Sequence, residues 1–498
     1  MVASVQDTTG SRAATPTVSS ATWLLAICAA GAVLRALTLY RLPNIAGSDE
    51  TFQYVEQASR LLGGHALVPW EYQVGARSWL LPLFLTPAVA LGRAVSTSPD
   101  VVYGCVWALM IALASAAAVA AYRIGRAVGS QAHGLFAALL VSLWCEEVYL
   151  SPHALADTIS ASLLLIALAA SLGAASARRL AIVGLLLGAT FVVRLQLAPA
   201  LGLIGLAACW RAPIRRGLPT AIGFLAPLLV SGLLDWLTWG APFRSLYTYF
   251  VVNQAGVASS FGVQRRAFYI VRELQIWGYA TPLILLTAAL GARRAPVAAA
   301  AALAIVATLS LVPHKEYRFL FPAVSLLMVL CGLGAAELAS YAAKVGGRRA
   351  ARVATAALVL GWSAASLARG ASAEMRLLWT RQGATLKALA AISHDPTSCG
   401  LGVAPGQAWY RIGASRLRAD IPQYLYSPAT TAAFNYVLAF DAPAPAAAFR
   451  RLSCDAAEGF CLYRRAGGCA PAAGLPLTAP PPPATLAVLQ RLGLMRGR

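Results

Sequence analysis

Charged residues make up only 12% of this 498-residue sequence, against about 25% in a soluble domain. The shortage is one-sided, with 19 Asp and Glu against 40 Lys and Arg. This scarcity excludes a soluble globular chain. With 59% hydrophobic residues and a mean hydropathy of +0.66, the chain reads as a polytopic membrane protein with a sizeable intramembrane core. The net charge of +21 would suggest nucleic acid in a soluble protein. Here the aromatic–basic interleaving that single-strand binding requires is absent, so no nucleic-acid partner is expected, and Arg in loops and at helix ends accounts for the charge. No cysteine spacing fits a zinc site, the step from Cys461 to Cys469 being too long for a typical knuckle. There is no internal repeat. No cleavable signal peptide is expected either: residues 1–20 are polar with Arg12 among them, and the apolar run 21–40 is long enough to be a retained first helix.

Long apolar runs are what the sequence has in abundance. They fall at roughly 21–40, 101–122, 134–150, 154–177, 180–194, 197–210, 218–238, 276–291, 295–312, 319–340 and 350–368. The short connections carrying Arg123/Arg126, Arg178/Arg179, Arg211/Arg215/Arg216, Arg293/Arg294 and Lys344/Arg348/Arg349/Arg352 are basic and acid-free, which places them in the cytoplasm. They alternate along the chain, so the topology is self-consistent. Segment 76–96 would be a twelfth span, but Pro82, Pro87, Arg77 and Arg93 suit a helix lying along the interface. The N-terminus is then cytoplasmic and 41–100 is one long external loop. The acids from Asp49 to Glu316 fall in, or at the mouth of, external loops, so any chemistry belongs on that face. Glu146, Glu147, His153, Asp157 and Asp235 share it, the last being equally well a helix-end acid. The tail from about 375 has shorter apolar runs, turn residues and a proline stretch at 480–483. Its Cys399, Cys454, Cys461 and Cys469 allow two disulfides in one of three connectivities; Cys28, Cys105, Cys145, Cys209 and Cys331 lie in spans as apolar filler.

Two polar stretches stand out. His314-Lys315-Glu316-Tyr317-Arg318-Phe319 packs cations and a carboxylate between two apolar runs, where charge is costly and usually functional; the alternative is an orientation anchor. Asp49-Glu50 opens a helix-like stretch at 50–62. An acid there is either a helix cap or a general base.

Together with Asp49-Glu50-Thr51-Phe52-Gln53-Tyr54 and Trp70-Glu71-Tyr72 followed by Arg77-Ser78, the His-Lys-Glu-Tyr-Arg-Phe run resembles glycosyltransferase family 22. These are the lipid-linked-sugar-dependent alpha-mannosyltransferases of GPI-anchor and N-glycan precursor assembly, within the GT-C superfamily. Arg194 ahead of Pro199, and Asp235, Trp239-Gly240, Asn253, Ser260-Phe261-Gly262 and Tyr269, are similar to further blocks of that family. The resemblance covers scattered blocks between about 40 and 320, and residues beyond about 370 match nothing familiar.

The resemblance implies a GT-C fold, and with the apolar runs and loop charges it gives an all-α polytopic protein with about eleven transmembrane helices, a long first external loop with juxtamembrane helices and, from the composition of the tail, a small external C-terminal domain. The expected division is a cytoplasmic tail 1–20, a catalytic membrane domain 21–370 and an external domain 371–498. It implies inverting transfer of a sugar, mannose first, from a polyprenyl-phosphate donor to a hydroxyl of a lipid-linked or glycan acceptor. Asp49 would be the general base, with Glu50 able to substitute or orient. His314, Lys315, Arg318 and Arg194 would hold the leaving phosphate, although Arg194 is equally well a snorkelling residue. Glu316 either orients these cations or forms a structural salt bridge. Trp70 and Glu71 would line the sugar or acceptor site, Trp70 being as readily an interfacial anchor, and Arg77, Asn253 and Tyr269 would complete the substrate contacts. No metal and no cofactor are expected. The chain departs from the family in being Ala- and Arg-rich and compact with a cysteine-bearing tail, which points to a bacterial inner or plasma membrane, with the site facing the periplasm or exterior. The alternatives are another polyprenyl-linked sugar such as a pentose, a lipid-linked-sugar flippase and a non-catalytic scaffold. A flippase would show paired broken helices or inverted repeats, and acids confined to one face argue against it.

Overall fold

The computed structural model describes residues 19–495 apart from 65, 174–175, 406–407 and 471–477; the expected tail 1–20 therefore lies almost wholly outside the described residues. Among the described residues, Ser20–Arg41, Pro99–Val128, Pro213–Trp239, Phe268–Ala292 and Tyr317–Gly370 are long and apolar enough to cross a membrane. The shorter apolar helices Leu80–Val95, Gln131–Leu143, Ala156–Ser171, Leu195–Cys209 and Pro296–Leu311 pack among them. Prolines at the first turns of Pro99–Val128, Pro213–Trp239 and Pro296–Leu311 start helices where no amide donor is needed. Close approach comes from small residues, as lipid-embedded helices require. A Cβ on Gly184 would lie 1.9 Å from the Thr220 carbonyl and one on Gly223 2.0 Å from that of Ala181, so helices Ala177–Val193 and Pro213–Trp239 touch backbone to backbone.

Local features set three boundaries, of which only the first differs from the sequence reading. The expected run 134–150 is two helices, Gln131–Leu143 and Cys145–Leu150, separated by extended backbone at Trp144. Such a break strands carbonyls that water cannot reach. Buried Arg35 of the first helix satisfies them, donating to the carbonyls of Ser142 (2.7 Å) and Val141 (3.1 Å) and to Ser151 Oγ (2.6 Å). The runs 319–340 and 350–368 are two arms of one helix, Phe321–Gly370, kinked at Gly346 and Gly347, the latter at φ 68° where only glycine sits without strain. Segment 76–96 contains the helix Leu80–Val95, with Pro87 inside it. Sixteen residues make a rod of about 24 Å, short of a hydrocarbon core of about 30 Å.

The all-α expectation fails beyond residue 400. A five-stranded sheet forms there in the order β2-β1-β3-β5-β4, with β1 Leu401–Ala404, β2 Gln423–Leu425, β3 Tyr436–Phe440, β4 Arg450–Asp455 and β5 Phe460–Arg464. β1 runs parallel to β2 and β3, and β5 is antiparallel to β3 and β4. Helix Gly383–His394 covers one face through Leu389 and Ile392, and Phe434 and Phe449 cover the other. Of the three possible connectivities, the disulfides are Cys399–Cys469 and Cys454–Cys461. This unit sits on the first loop. Glu56 accepts from the amides of Leu67 (2.9 Å) and Ala414 (3.4 Å), and Arg416 lies over the Tyr103 ring.

Candidate active site

Where the first loop, the middle loop and the 314–319 loop converge, they enclose a cavity of about 830 Å³, within the range of small-molecule sites. Asp49, Trp70, Glu71, Arg77, Arg194, Asn253, His314, Lys315 and Arg318 all line it. Glu50 and Tyr269 do not line it.

The first loop enters through a π-helical turn, Glu50–Val55, a conformation common at functional sites. The wide turn sends Asp49, Gln53 and Tyr54 to the cavity wall and Glu50 inward. Asp49 caps nothing; its Oδ2 instead accepts from Arg318 Nη2 at 2.7 Å. Glu50 is completely buried, paired to His153 Nδ1 (2.8 Å) and accepting the Ala154 amide (2.9 Å). Burial opposes its ionisation, but His153 outweighs that and keeps its carboxyl below the usual range. Glu50 thus ties the first loop to the 153–154 turn rather than reaching the reacting volume.

Arg318 is the hub. Its Nε and Nη2 donate to Glu316 (2.9 and 3.2 Å), and Nη1 lies 3.6 Å from Asp157. Only a guanidinium reaches three carboxylates at once. A Cβ at Gly47 would come within 3.0 Å of the guanidinium, so a larger residue there would press on Arg318. Arg194 pairs with Asp157 and lies over the Phe319 ring, 4.8 Å from its centroid. Lys315 donates to the carbonyls of Val312 (2.5 Å) and Gln264 (3.2 Å). Both ring nitrogens of His314 face acceptors, the Gly262 carbonyl at 3.0 Å and Glu316 at 3.3 Å. Only the doubly protonated ring satisfies both, and the Glu316 hydrogen bond raises its pKa accordingly. Burial works against ionised Glu316, yet Arg318 and His314 hold it well below the carboxylate range. Arg194, Lys315 and Arg318 thus face Asp49, Asp157 and Glu316, and a protonated His314 adds a fourth cation.

The rear of the 314–319 loop is anchored through Tyr317. Its hydroxyl donates to buried Glu146, which also accepts from the indoles of Trp144 (2.8 Å) and Trp277 (3.1 Å). Glu146 and Glu147 lie off the cavity, and Tyr269 is buried edge-on to Phe268 within electrostatic reach of Arg194 and Asp157. At the far end of the cavity Gln53 Nε2 donates to Glu71 Oε1 at 2.9 Å, and Arg77 lies over the Tyr249 ring. Gln53 Oε1, Glu71 Oε2 and Arg77 Nε are buried without a protein partner. Gln53, Tyr249, Pro480 and Pro482 also line the cavity and carry no role in the sequence analysis. Gln53 was within reach of inspection, one turn after Asp49; the prolines were not, because nothing local marks their partner. Among the described residues, no group of three or more His, Cys, Asp or Glu is placed to hold a metal ion.

Comparison with known proteins agrees in fold and in sequence. A sequence model of the Alg9-like mannosyltransferase family matches residues 23–416. The protein described as GPI mannosyltransferase 4 from Eremothecium gossypii is 28% identical over 327 residues, covering 60% of this chain and 62% of that protein. The chain thus matches somewhat under two thirds of that relative's length. ArnT from Cupriavidus metallidurans, solved with undecaprenyl phosphate, superposes with a TM-score of 0.61 over 91% of this chain and 100% of its own, at 12% identity. Its apo structure gives 0.57 over 89% and 98%, also at 12% identity. The fold is that of the membrane-embedded GT-C glycosyltransferases.

Proposed function

Because the chain belongs to the Alg9-like mannosyltransferase family, we propose that it is an inverting glycosyltransferase moving mannose from a polyprenyl phosphate to an acceptor hydroxyl. The observation that carries this reading is the Asp49 carboxylate at the cavity wall, 2.7 Å from Arg318 in the cluster of cations and carboxylates. Asp49 takes the acceptor proton as the hydroxyl oxygen attacks the anomeric carbon. The bond from that carbon to the phosphate oxygen breaks, and its electron pair leaves with the polyprenyl phosphate. The developing charge meets His314, Lys315, Arg318 and Arg194. The donor is a phosphodiester, and the polyprenyl phosphate monoester leaves it as a stable anion, so no leaving-group acid is required. Glu316 orients Arg318 and His314, and Glu50 positions the loop behind Asp49. Trp70, Glu71, Arg77 and Asn253 contact the sugar or acceptor, and Tyr269 backs the Arg194–Asp157 pair.

The donor class is in keeping with the undecaprenyl phosphate bound by ArnT, and a glycolipid acceptor with the GPI relative. We assign the cavity and the domain beyond residue 371 to the outside of a bacterial inner or plasma membrane. The acid-free basic loops on alternate connections support that orientation, as do two disulfides in the tail.

The test is transfer by purified protein in detergent from synthetic polyprenyl-phosphate-mannose, reading release of polyprenyl phosphate with a membrane-glycolipid extract as acceptor pool. Wild type should turn over and Asp49→Asn should not. Turnover only with another polyprenyl-linked sugar, such as a pentose, would replace mannose and keep the mechanism. Silence of folded wild type with every donor would sink the transferase reading.

A further inference from the structure

The C-terminal segment contributes to the cavity although it lies beyond residue 416, where the family match ends. Residues 478–495 run across the cavity as a strap. The Ala479 amide donates to the Val68 carbonyl at 3.0 Å and Gln73 Nε2 donates to the Ala479 carbonyl at 2.7 Å. Thr485, completely buried, hydrogen-bonds Ser260 at 2.8 Å. Val488 and Leu489 of helix Pro483–Arg491 pack against Trp70, Val74, Val252 and Val257. The strap thus joins the first loop to the middle loop and places Pro480 and Pro482 in the cavity wall.

We propose that this strap completes an acceptor-saccharide subsite in the part of the cavity it walls, taking a neutral hexose ring among Pro480, Pro482, Trp70, Gln53, Glu71 and Arg77. The proposal rests on the transferase reading above, and it adds the subsite and the strap's part in it. A hexose ring has an apolar C–H face and a rim of hydroxyls that both donate and accept. The wall offers the same division. Prolines lack amide donors and hold a fixed φ, so Pro480 and Pro482 present a stiff apolar edge. Glu71 and Gln53 each have a buried oxygen with no protein partner, and Arg77 has a donor in the same condition. Unpaired buried polar atoms carry a desolvation penalty that hydroxyls of a bound ring would relieve. Inversion fixes the polarity of the site. The acceptor must approach the anomeric carbon opposite the phosphate, so the phosphate takes the Arg318 end and the acceptor the Gln53 end, with Asp49 between. Gln53 follows Asp49 on the same π-helical turn.

The experiment measures binding, not turnover. Full-length protein in detergent is titrated with methyl α-D-mannopyranoside and with an α-linked mannobiose by saturation-transfer NMR, and separately with undecaprenyl phosphate. Wild type should bind a saccharide. Pro482→Trp, which fills the subsite from the strap, should weaken saccharide binding at least tenfold and change undecaprenyl phosphate affinity less than twofold. Gln53→Ala approaches the same subsite from the first loop and should give the same split, so the proposal stays testable if Pro482→Trp does not fold. Unchanged saccharide binding in folded variants, no saccharide binding by wild type, or parallel loss of saccharide and lipid phosphate would each overturn the proposal. Failure of the transferase reading appears elsewhere, as absence of donor turnover in the Asp49 comparison.

Discussion

At the Arg318 end of the cavity, His314, Lys315, Arg194 and Arg318 each have an ion-pair or hydrogen-bond partner already in place. At the Gln53 end, Gln53 Oε1, Glu71 Oε2 and Arg77 Nε have none. The ionic end is held mainly by ion pairs, although Arg194 Nε and both Asp157 oxygens lack a hydrogen bond there. The far end is held by the single Gln53–Glu71 bond. The difference also separates two kinds of sequence origin. The ionic end comes wholly from within the family match, whereas part of the far end comes from the strap beyond it.

The comparison is broken most severely at Arg318. Arg318→Lys keeps the charge but loses the planar fork that holds Asp49, Glu316 and Asp157 together. We expect transfer to fall about a hundredfold or more, with saccharide binding at the far end retained. Arg318→Ala would strip Asp49 of its ion-pair partner and leave Glu316 to His314 and Asp157 to Arg194, so a loss there would mix stability with catalysis and the lysine variant is the informative one. Transfer within threefold of wild type in Arg318→Lys would remove Arg318 from the centre of the mechanism.

The far end depends instead on the tail. Cys399–Cys469 closes a 70-residue separation just ahead of the segment leading to the strap. Cys399→Ser should lower the unfolding free energy of the tail by about 2–4 kcal/mol. It should also speed amide exchange at Thr485 and Leu489 while leaving the exchange of residues 315–320 unchanged. Equal protection of Thr485 in both proteins would show the strap to be held independently of the sheet.

A smaller effect should follow from the rear of the ionic end. Tyr317→Phe removes one donor to Glu146 and leaves the two indoles. If Tyr317 positions Arg318, kcat should fall about tenfold, equivalent to about 1.4 kcal/mol, with lipid-phosphate affinity unchanged. A loss confined to thermal stability would make the contact structural.

Legibility in the sequence follows the same division. Asp49 and the 314–319 stretch could be found because contiguous charge in an apolar background is chemically extreme, and their resemblance to a known family lies in short, contiguous blocks. The Asp157–Arg194 pair is assembled from two helix ends, Ala156–Ser171 and Ala177–Val193, and neither residue alone announces the other. Glu50 shared its motif with Asp49, yet its burial against His153 depends on a turn a hundred residues away. The sheet escaped detection because β1 and β3 are buried along their whole length, so neither shows the polar–apolar alternation of a half-exposed strand. The strap escaped because Pro480 and Pro482 read as a generic proline stretch until the chain returns to Val68.

The junction between the tail and the first loop gives the mildest test, through Glu56. Its carboxyl is fully buried and takes the amides of Leu67 and Ala414, one from each side of the junction. Burial pushes its pKa up to about 8, and the two amide bonds only partly offset that. In the unfolded chain the same group ionises near 4.5. Between those values the folded protein holds a proton that the unfolded chain has released, so stability falls as pH rises from about 4.5 to about 8. The stabilising margin is fully present below the lower value and is gone above the higher one. Both amides donate to Oε1, so Glu56→Gln keeps the acceptor for both and removes the titration. Thermal unfolding at pH 5, 6, 7 and 8 should therefore show a wild-type Tm that declines with pH and a flatter profile for Glu56→Gln, the two differing most at the alkaline end. Parallel profiles would mean that Glu56 ionises in the folded protein without loss, and that the junction is held by the apolar contacts of Val488 and Leu489 rather than by this carboxyl.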